Sequence, residues 1–203
     1  VIRSAVSTDL PALQQIEIAA GEPFRAIGMD AVADDPPPTL GELAEYLVAD
    51  HIWVATDSDD TPIAYVLVEI VDGCAHVEQV SVHPDHARRG IGARLIDAVT
   101  TWAYLHHLDS VTLTTFADVP WNAPYYEKLG FERISDTALS PGLVRIRTEE
   151  QSAGLDDWPR VTMSRPSADC QAPAFQTPVR ENSSSTADGP ARSIPSAATQ
   201  SSS

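Results

Sequence analysis

The sequence predicts a mixed α/β domain built on a largely antiparallel sheet. Three observations predict it: Val- and Ile-rich strand segments joined by short turns between residues 52 and 82, a long amphipathic helical pattern after Pro84, and strand–helix–strand alternation beyond that helix. Tight turns join antiparallel neighbours. Strand–helix–strand units favour parallel pairing, which is therefore expected in the second half.

Each element has its own signal. Residues 2–6 read as a short strand. Ser7 or Thr8 is expected to cap a helix whose apolar face is Leu10, Leu13, Ile16 and Ala20. Residues 21–38 hold Gly, Pro and Asp and end in three prolines, which reads as a loop. Thr39 and Glu42 have capping-box spacing, and Leu40, Leu43 and Leu47 follow as a helix stripe. Residues 52–56 and 63–71 read as strands, and Asp72-Gly73 as a hairpin turn into a strand at 75–82. Pro84 ends that strand, and a helix follows with Ile91, Leu95, Val99 and Trp102 on one side. Residues 111–116 form a strand, 123–129 a short helix stopped by Gly130, and 131–134 a further strand. Ser140-Pro141 opens a helix that ends near Gly154, and residues 161–165 make the last strand. Residues 167–203 are rich in Ser, Ala, Thr and Pro, with too few large apolar side chains to offset the entropy of ordering. They are expected to be a disordered tail on a domain of residues 1–166.

Charge narrows the function classes. Twenty-nine acids against 13 bases give a net charge of -16. That disfavours a protein devoted to nucleic-acid backbones or to an anionic membrane surface, since both need clustered Lys and Arg. No apolar run approaches the roughly 18 residues of a membrane span, and no secretory signal is visible. Two distant cysteines, Cys74 and Cys170, fit a reducing cytoplasm better than a disulfide framework. The first 80 residues carry 15 acids and two bases, yet Arg88, Arg89 and Arg94 then fall within seven positions.

That basic cluster belongs to the informative stretch, Val80-Ser81-Val82-His83-Pro84-Asp85-His86-Ala87-Arg88-Arg89-Gly90-Ile91-Gly92-Ala93-Arg94-Leu95. A strand feeds a proline turn and a Gly-x-Gly that opens a helix. Unpaired amides at a helix N-terminus favour an anion, and glycines let it approach. No Gly-Lys-Ser/Thr follows, so this is not a P-loop, and the third glycine of a dinucleotide fingerprint is missing. The element alone reads equally well as a plain turn and helix start.

The stretch resembles the acetyl-coenzyme A signature of the GNAT superfamily of N-acetyltransferases, Gln/Arg-x-x-Gly-x-Gly/Ala. A second segment, Trp121-Asn122-Ala123-Pro124-Tyr125-Tyr126-Glu127-Lys128-Leu129-Gly130-Phe131, is similar to that family's Asn…Tyr-Glu-x-Leu-Gly-Phe. The resemblance covers roughly residues 1–166. One departure is Ala87, where the family usually has Gln or Arg. The resemblance implies a GNAT-like mixed, mostly antiparallel central sheet, splayed at the cofactor slot, with helices on both faces. It implies acetyl-coenzyme A (acetyl-CoA) as co-substrate, its pantetheine arm on the main chain of Val80, Ser81 and Val82. Its pyrophosphate would lie on the amides of Arg88, Arg89, Gly90, Ile91, Gly92 and Ala93. Tyr126 matches the tyrosine that donates to the departing sulfur, with Tyr125 lining or packing. Asn122 matches the asparagine that contacts the pantetheine arm, and it reads equally as a helix cap.

The reaction implied is direct attack of an amine on a thioester, which needs a general base and a general acid. An alkyl amine has a pKa of about 10 and is mostly protonated at neutral pH. Glu78 is the expected base, because strand alternation puts it on the face of Val80 and Val82, where an acid is unusual. It also reads as a partly exposed strand glutamate. His76 shares its face and is the alternative base. Thr114, Thr115 and Phe116 stand where some relatives carry a glutamate, and Asp118 reads as loop. His83 and His86 lack further ligands, so no metal is expected.

The acceptor site is implied at residues 20–38 and 135–160. Glu22, Asp30, Asp34 and Asp35 would attract a cationic amine, either a small molecule or a peptide amino group, while Arg145 and Arg147 oppose this. The alternative function is a non-catalytic acetyl-CoA-binding sensor or interaction module. Family members often pair through late strands, so a homodimer is admitted but not decided.

Overall fold

The structure, a computed structural model, describes residues 1–167. Seven strands form one sheet: β1 (Ile2–Ser4), β2 (Ile52–Thr56), β3 (Pro62–Val71), β4 (Cys74–Val82), β5 (Ser110–Phe116), β6 (Glu132–Ile134) and β7 (Arg160–Pro166), in the order β1-β2-β3-β4-β5-β7-β6. The helices are α1 (Leu10–Arg25), α2 (Asp30–Ala33), α3 (Leu40–Ala49), α4 (Ile91–Leu105), α5 (Ala123–Lys128) and α6 (Pro141–Ser152). The first four strands are an antiparallel meander. Parallel pairing in the second half is confined to β4 with β5. The strand–helix–strand unit of β5, α5 and β6 does not close into a neighbouring pair, because β7 inserts between the two strands, antiparallel to both.

Two cores lie on opposite faces of the sheet. Ile91, Leu95, Ile96, Val99 and Ala103 of α4, with Ala123 and Tyr126 of α5, pack on Val66, Val68, Ala75, Val77, Val111, Leu113 and Met163. On the other face Leu10, Leu13 and Ile16 of α1 and Leu43 of α3 cover Ile52, Val54, Tyr65 and Leu67. Strand alternation supplies both sets, because successive β3 side chains go to opposite helical layers.

Local signals explain the ends. Thr39 and Glu42 form the expected capping box. Asp72 and Gly73 both take positive φ, at 50° and 80°, as the tight β3–β4 hairpin requires. Other boundaries differ from expectation. Asp9, not Ser7 or Thr8, stands at the N-cap of α1, and its carboxylate is bound by Arg3 and the Val6 N–H. Residues 21–38 are not all loop: α1 continues through Pro23 to Arg25, and α2 follows. Packing overrides propensity here, since Phe24 stacks edge-on with Phe116 and Trp121. Gly21 lets α2 approach closely, and a Cβ there would lie 3.3 Å from the Ala33 carbonyl oxygen.

Pro84–His86 is a short 3-10 turn, and α4 starts only at Ile91. Ser140 occupies the N-cap of α6 without a side-chain cap, and the Gly142 N–H donates instead to Asp72, 2.6 Å away. Ser167, expected to begin the tail, is buried, and its hydroxyl donates to the Leu108 carbonyl. The remaining residues of the expected tail, 168–203, lie outside the described residues.

Candidate active site

The site begins where β4 and β5 part. They pair only at Ala75–Val77 with Val111–Leu113, after which β4 runs on to Val82 and β5 to Phe116 without pairing with each other. The other edge of β5 is fully paired with β7, and that of β4 with β3, so the gap is a slot inside the sheet. A bulge precedes it. Leu67 pairs Gln79 while Val68 pairs Val77, which leaves Glu78 as the extra residue.

Register then decides which main-chain groups reach the slot. The His83 N–H donates to the Ile63 carbonyl, so His83, and by alternation Ser81, point into the β3 ladder. Val80 and Val82 therefore direct their N–H and C=O groups to the slot edge. Ser81, expected to contribute its main chain, is turned away, and its hydroxyl meets Glu17 of α1 at 2.6 Å.

The bulge also corrects the face assigned to Glu78. Val80 and Val82 pack in the α4 core. Glu78 and Gln79 both fall on the opposite face: Gln79 bonds Glu17, and Glu78 comes to 4.0 Å from His76 Nε2. Glu78 and His76 do share a face, as expected. The Glu78 side chain is 46% exposed, while protein surrounds it closely. That partial desolvation pushes its carboxyl up to about 7, helped by the nearby charges of Glu69 and Glu150 and opposed by Arg160. His76 is buried, bonds Thr112 Oγ1 through Nδ1 at 2.9 Å, and is drawn down to about 4 by desolvation. It is neutral at pH 7 and too weak a base to compete with Glu78.

At the far end of the slot the chain enters α4. Arg88 and Gly90 take positive φ, at 61° and 70°. Gly90 is needed for that backbone, not for clearance, because a Cβ there would meet nothing within 4 Å. At Gly92 a Cβ would lie 3.2 Å from the Tyr125 hydroxyl. So Tyr125, which reads from sequence as packing or pocket lining, sits against the first turn of α4. Arg88, Arg89 and Arg94 are exposed, and none has an acidic partner among the described residues. The first-turn amides of α4 therefore lie under uncompensated positive charge, an arrangement suited to a phosphate group.

Asn122 and Tyr126 come from the loop and helix after β5. Asn122 makes no side-chain cap to α5; its Nδ2 donates to Thr115 Oγ1 at 2.7 Å. Its Oδ1 is buried without a hydrogen-bond partner among the described residues. An orphaned acceptor beside β5 suits a donor N–H from a bound molecule. Tyr126 is buried, with its ring edge-on to Tyr125 and Phe131, and burial raises its hydroxyl pKa, keeping it a proton donor.

Three contributors were not foreseen. Glu17 accepts from Tyr65, Gln79 and Ser81. Its signal was an acid four residues after Leu13 on the apolar stripe of α1. Glu69 accepts from Tyr46 at 2.8 Å. Glu150 of α6 bonds Thr114, Arg147 and Arg160, placing a carboxylate over the β5 position where the sequence offers only threonine. That contact spans 36 residues and left no local trace. On the expected acceptor rim, Arg25 pairs with Glu22, Asp30 and Asp34, and Arg147 also pairs with Asp156. The rim is thus less acidic than its composition suggests.

A mixed sheet with an internal slot, a bulged strand edge and a helix N-terminus below it is a geometry suited to an extended, phosphate-bearing ligand. Comparison with known proteins identifies the class. The model of the acetyltransferase (GNAT) family matches residues 14–131, and the chain belongs to that family. It is an acyltransferase whose acyl donor is acetyl-CoA.

Solved structures share the fold. An acetyltransferase of the GNAT family from Staphylococcus aureus superposes with a TM-score of 0.63 at 12% identity, over 82% of this chain and 98% of that one. The PaiA N-acetyltransferase from Thermoplasma acidophilum, in complex with coenzyme A, gives 0.59 at 14%, over 82% and 98%. The ribosomal-protein-S18-alanine N-acetyltransferase from Escherichia coli gives 0.56 at 19%, over 87% and 99%. Among the described residues no helix is long and apolar enough to cross a membrane, and no three potential metal ligands converge.

Proposed function

We propose that this enzyme acetylates a primary amine, on a small molecule or a protein, with Glu78 as general base and Tyr126 as general acid. The observation that carries the reading is a carboxylate held near pH 7 on the bulge where the sheet opens. A base poised there is half ionised at neutral pH and strong enough to take a proton from an ammonium, directly or through water.

The residues present fit the donor. The main-chain groups of Val80 and Val82 and the orphaned Asn122 Oδ1 would hold its extended arm, and the amides from Arg88 to Ala93 its phosphates. When bound, acetyl-CoA supplies an acetyl group activated as a thioester. Glu78 accepts the proton of the attacking nitrogen. The Tyr126 hydroxyl, kept protonated by burial, delivers a proton to the leaving side. The neutral His76 ring, fixed by its Nδ1 bond to the Thr112 hydroxyl, stands beside Glu78 with Nε2 4.0 Å from the carboxylate.

The acceptor reading rests on Glu69 and Glu78, which lie on the sheet face away from α4 and have no arginine or lysine ion-pair partner among the described residues. They favour a cationic amine. Residues 1–166 are proposed as one catalytic domain. The cytoplasm is proposed as its compartment, in keeping with the free thiol of Cys74. The test is a panel of amine acceptors assayed by thiol release, with Glu78→Gln and Tyr126→Phe beside the wild type. Both variants should lose turnover while retaining affinity for acetyl-CoA. Turnover that survives both substitutions contradicts the role assignments.

A further inference from the structure

Glu17 is a half-buried acid that the transfer reaction does not use. It follows Leu13 and Ile16 on the inner face of α1 and reaches across to the sheet. Its Oε2 accepts from the Tyr65 hydroxyl at 2.5 Å and from the Ser81 hydroxyl at 2.6 Å. Its Oε1 accepts from Gln79 Nε2 at 2.9 Å, and Gln79 Nε2 also donates to Ser81 Oγ at 2.8 Å. Val80 stands between the two β4 residues so tied, and Val80 directs its main chain to the slot edge.

We propose that Glu17 is a positioning residue for the donor slot, clamping residues 79 and 81 so that Val80 presents its N–H and C=O groups in a fixed line. The inference rests on the reading of the slot as the acetyl-CoA site. The clamp has a mechanical reason. Past Val77, β4 has lost its β5 neighbour, and the bulge at Glu78 interrupts its ladder with β3. A strand held on one edge and broken at a bulge needs a second anchor to keep its free edge straight.

A carboxylate suits the task because all three partners donate to it, and a half-buried acceptor with three donors fixes each of them. The same contact ties α1, on the acceptor side, to the strand segment that faces the donor. Glutamine at this position would keep the shape but remove the negative charge that all three donors share. Each tether would then fall from a charge-assisted to a neutral hydrogen bond, roughly half as strong.

The experiment titrates wild type and Glu17→Gln with acetyl-CoA and with adenosine 3′,5′-bisphosphate, which lacks the pantetheine arm and reaches only the α4 end. The proposal predicts acetyl-CoA affinity weakened about tenfold, with bisphosphate affinity unchanged. In turnover the loss should appear in KM for acetyl-CoA ahead of kcat. Equal weakening of both ligands shows a merely structural role and overturns the proposal, as does no weakening of either.

Should Glu17→Gln fail to fold, Gln79→Leu and Ser81→Ala each remove one donor and leave Glu17 two. Both should show the same selective loss at smaller size, and wild-type acetyl-CoA affinity in both overturns the proposal. A wild type that binds the bisphosphate but not acetyl-CoA overturns the slot reading itself, a failure distinct from that of the clamp.

Discussion

Glu78→Gln should move activity and stability in opposite directions. Burial and the charges of Glu69 and Glu150 raise the Glu78 carboxyl from 4.5 to about 7 in the folded protein. Between those values the folded chain binds more protons than the unfolded one, so this group makes stability fall as pH rises through the window. Its destabilising effect is complete above about pH 7 and absent below about pH 4. For a fully buried group the shift would correspond to about 3 kcal/mol. Because the side chain is 46% exposed, solvent screening reduces the expected figure to about 1 kcal/mol.

Glutamine has no charge to desolvate. The variant should gain about 1 kcal/mol in denaturant unfolding at pH 8 and nothing at pH 4. Loss of the base should cost about 10²–10⁴-fold in kcat/KM. The wild-type kcat/KM should rise with pH through an apparent pKa near 7 and lose that limb in the variant. A variant that is less stable at pH 8, or that keeps the rising limb, would refute the reasoning.

Other perturbations follow from geometry already described. Tyr126→Phe should lower kcat with little change in acetyl-CoA affinity, measured by single-turnover kinetics and calorimetry, because the hydroxyl alone is removed from a packed ring. Gly142→Ala should destabilise by about 1–3 kcal/mol in thermal or chemical unfolding, since the new Cβ would meet Val71 Cγ1 at 2.5 Å and Asp72 Oδ2 at 2.7 Å. Thr39→Ala should cost about 1 kcal/mol of stability through loss of the capping box and leave acetyl-CoA affinity unchanged.

What could be read from sequence was mostly local. The capping box, the Asp72-Gly73 turn and the glycine that opens α4 are fixed by residues within a few positions of one another. The two family motifs located the slot and the helix below it. The details that aim the chemistry were less legible. Strict alternation cannot foresee a bulge, so it puts Glu78 on the face of Val80, opposite to where it lies; the trace is Val77 and Val80, two residues of one core three apart. The path of α1 through Pro23 depends on Phe24 meeting Phe116, a contact set by tertiary packing. Long-range insertion of β7 between β5 and β6, and of Glu150 over Thr114, has no local code at all.

The central claim is that the slot between β4 and β5, ending at the N-terminus of α4, binds acetyl-CoA. Calorimetric titration of the purified chain with acetyl-CoA, beside Gly90→Glu, tests it most directly. The account predicts micromolar binding by the wild type. The variant should show none, because a carboxylate side chain would enter the phosphate cradle at a position that already requires φ of 70°. Absence of binding by the wild type, or undiminished binding by Gly90→Glu, would contradict it.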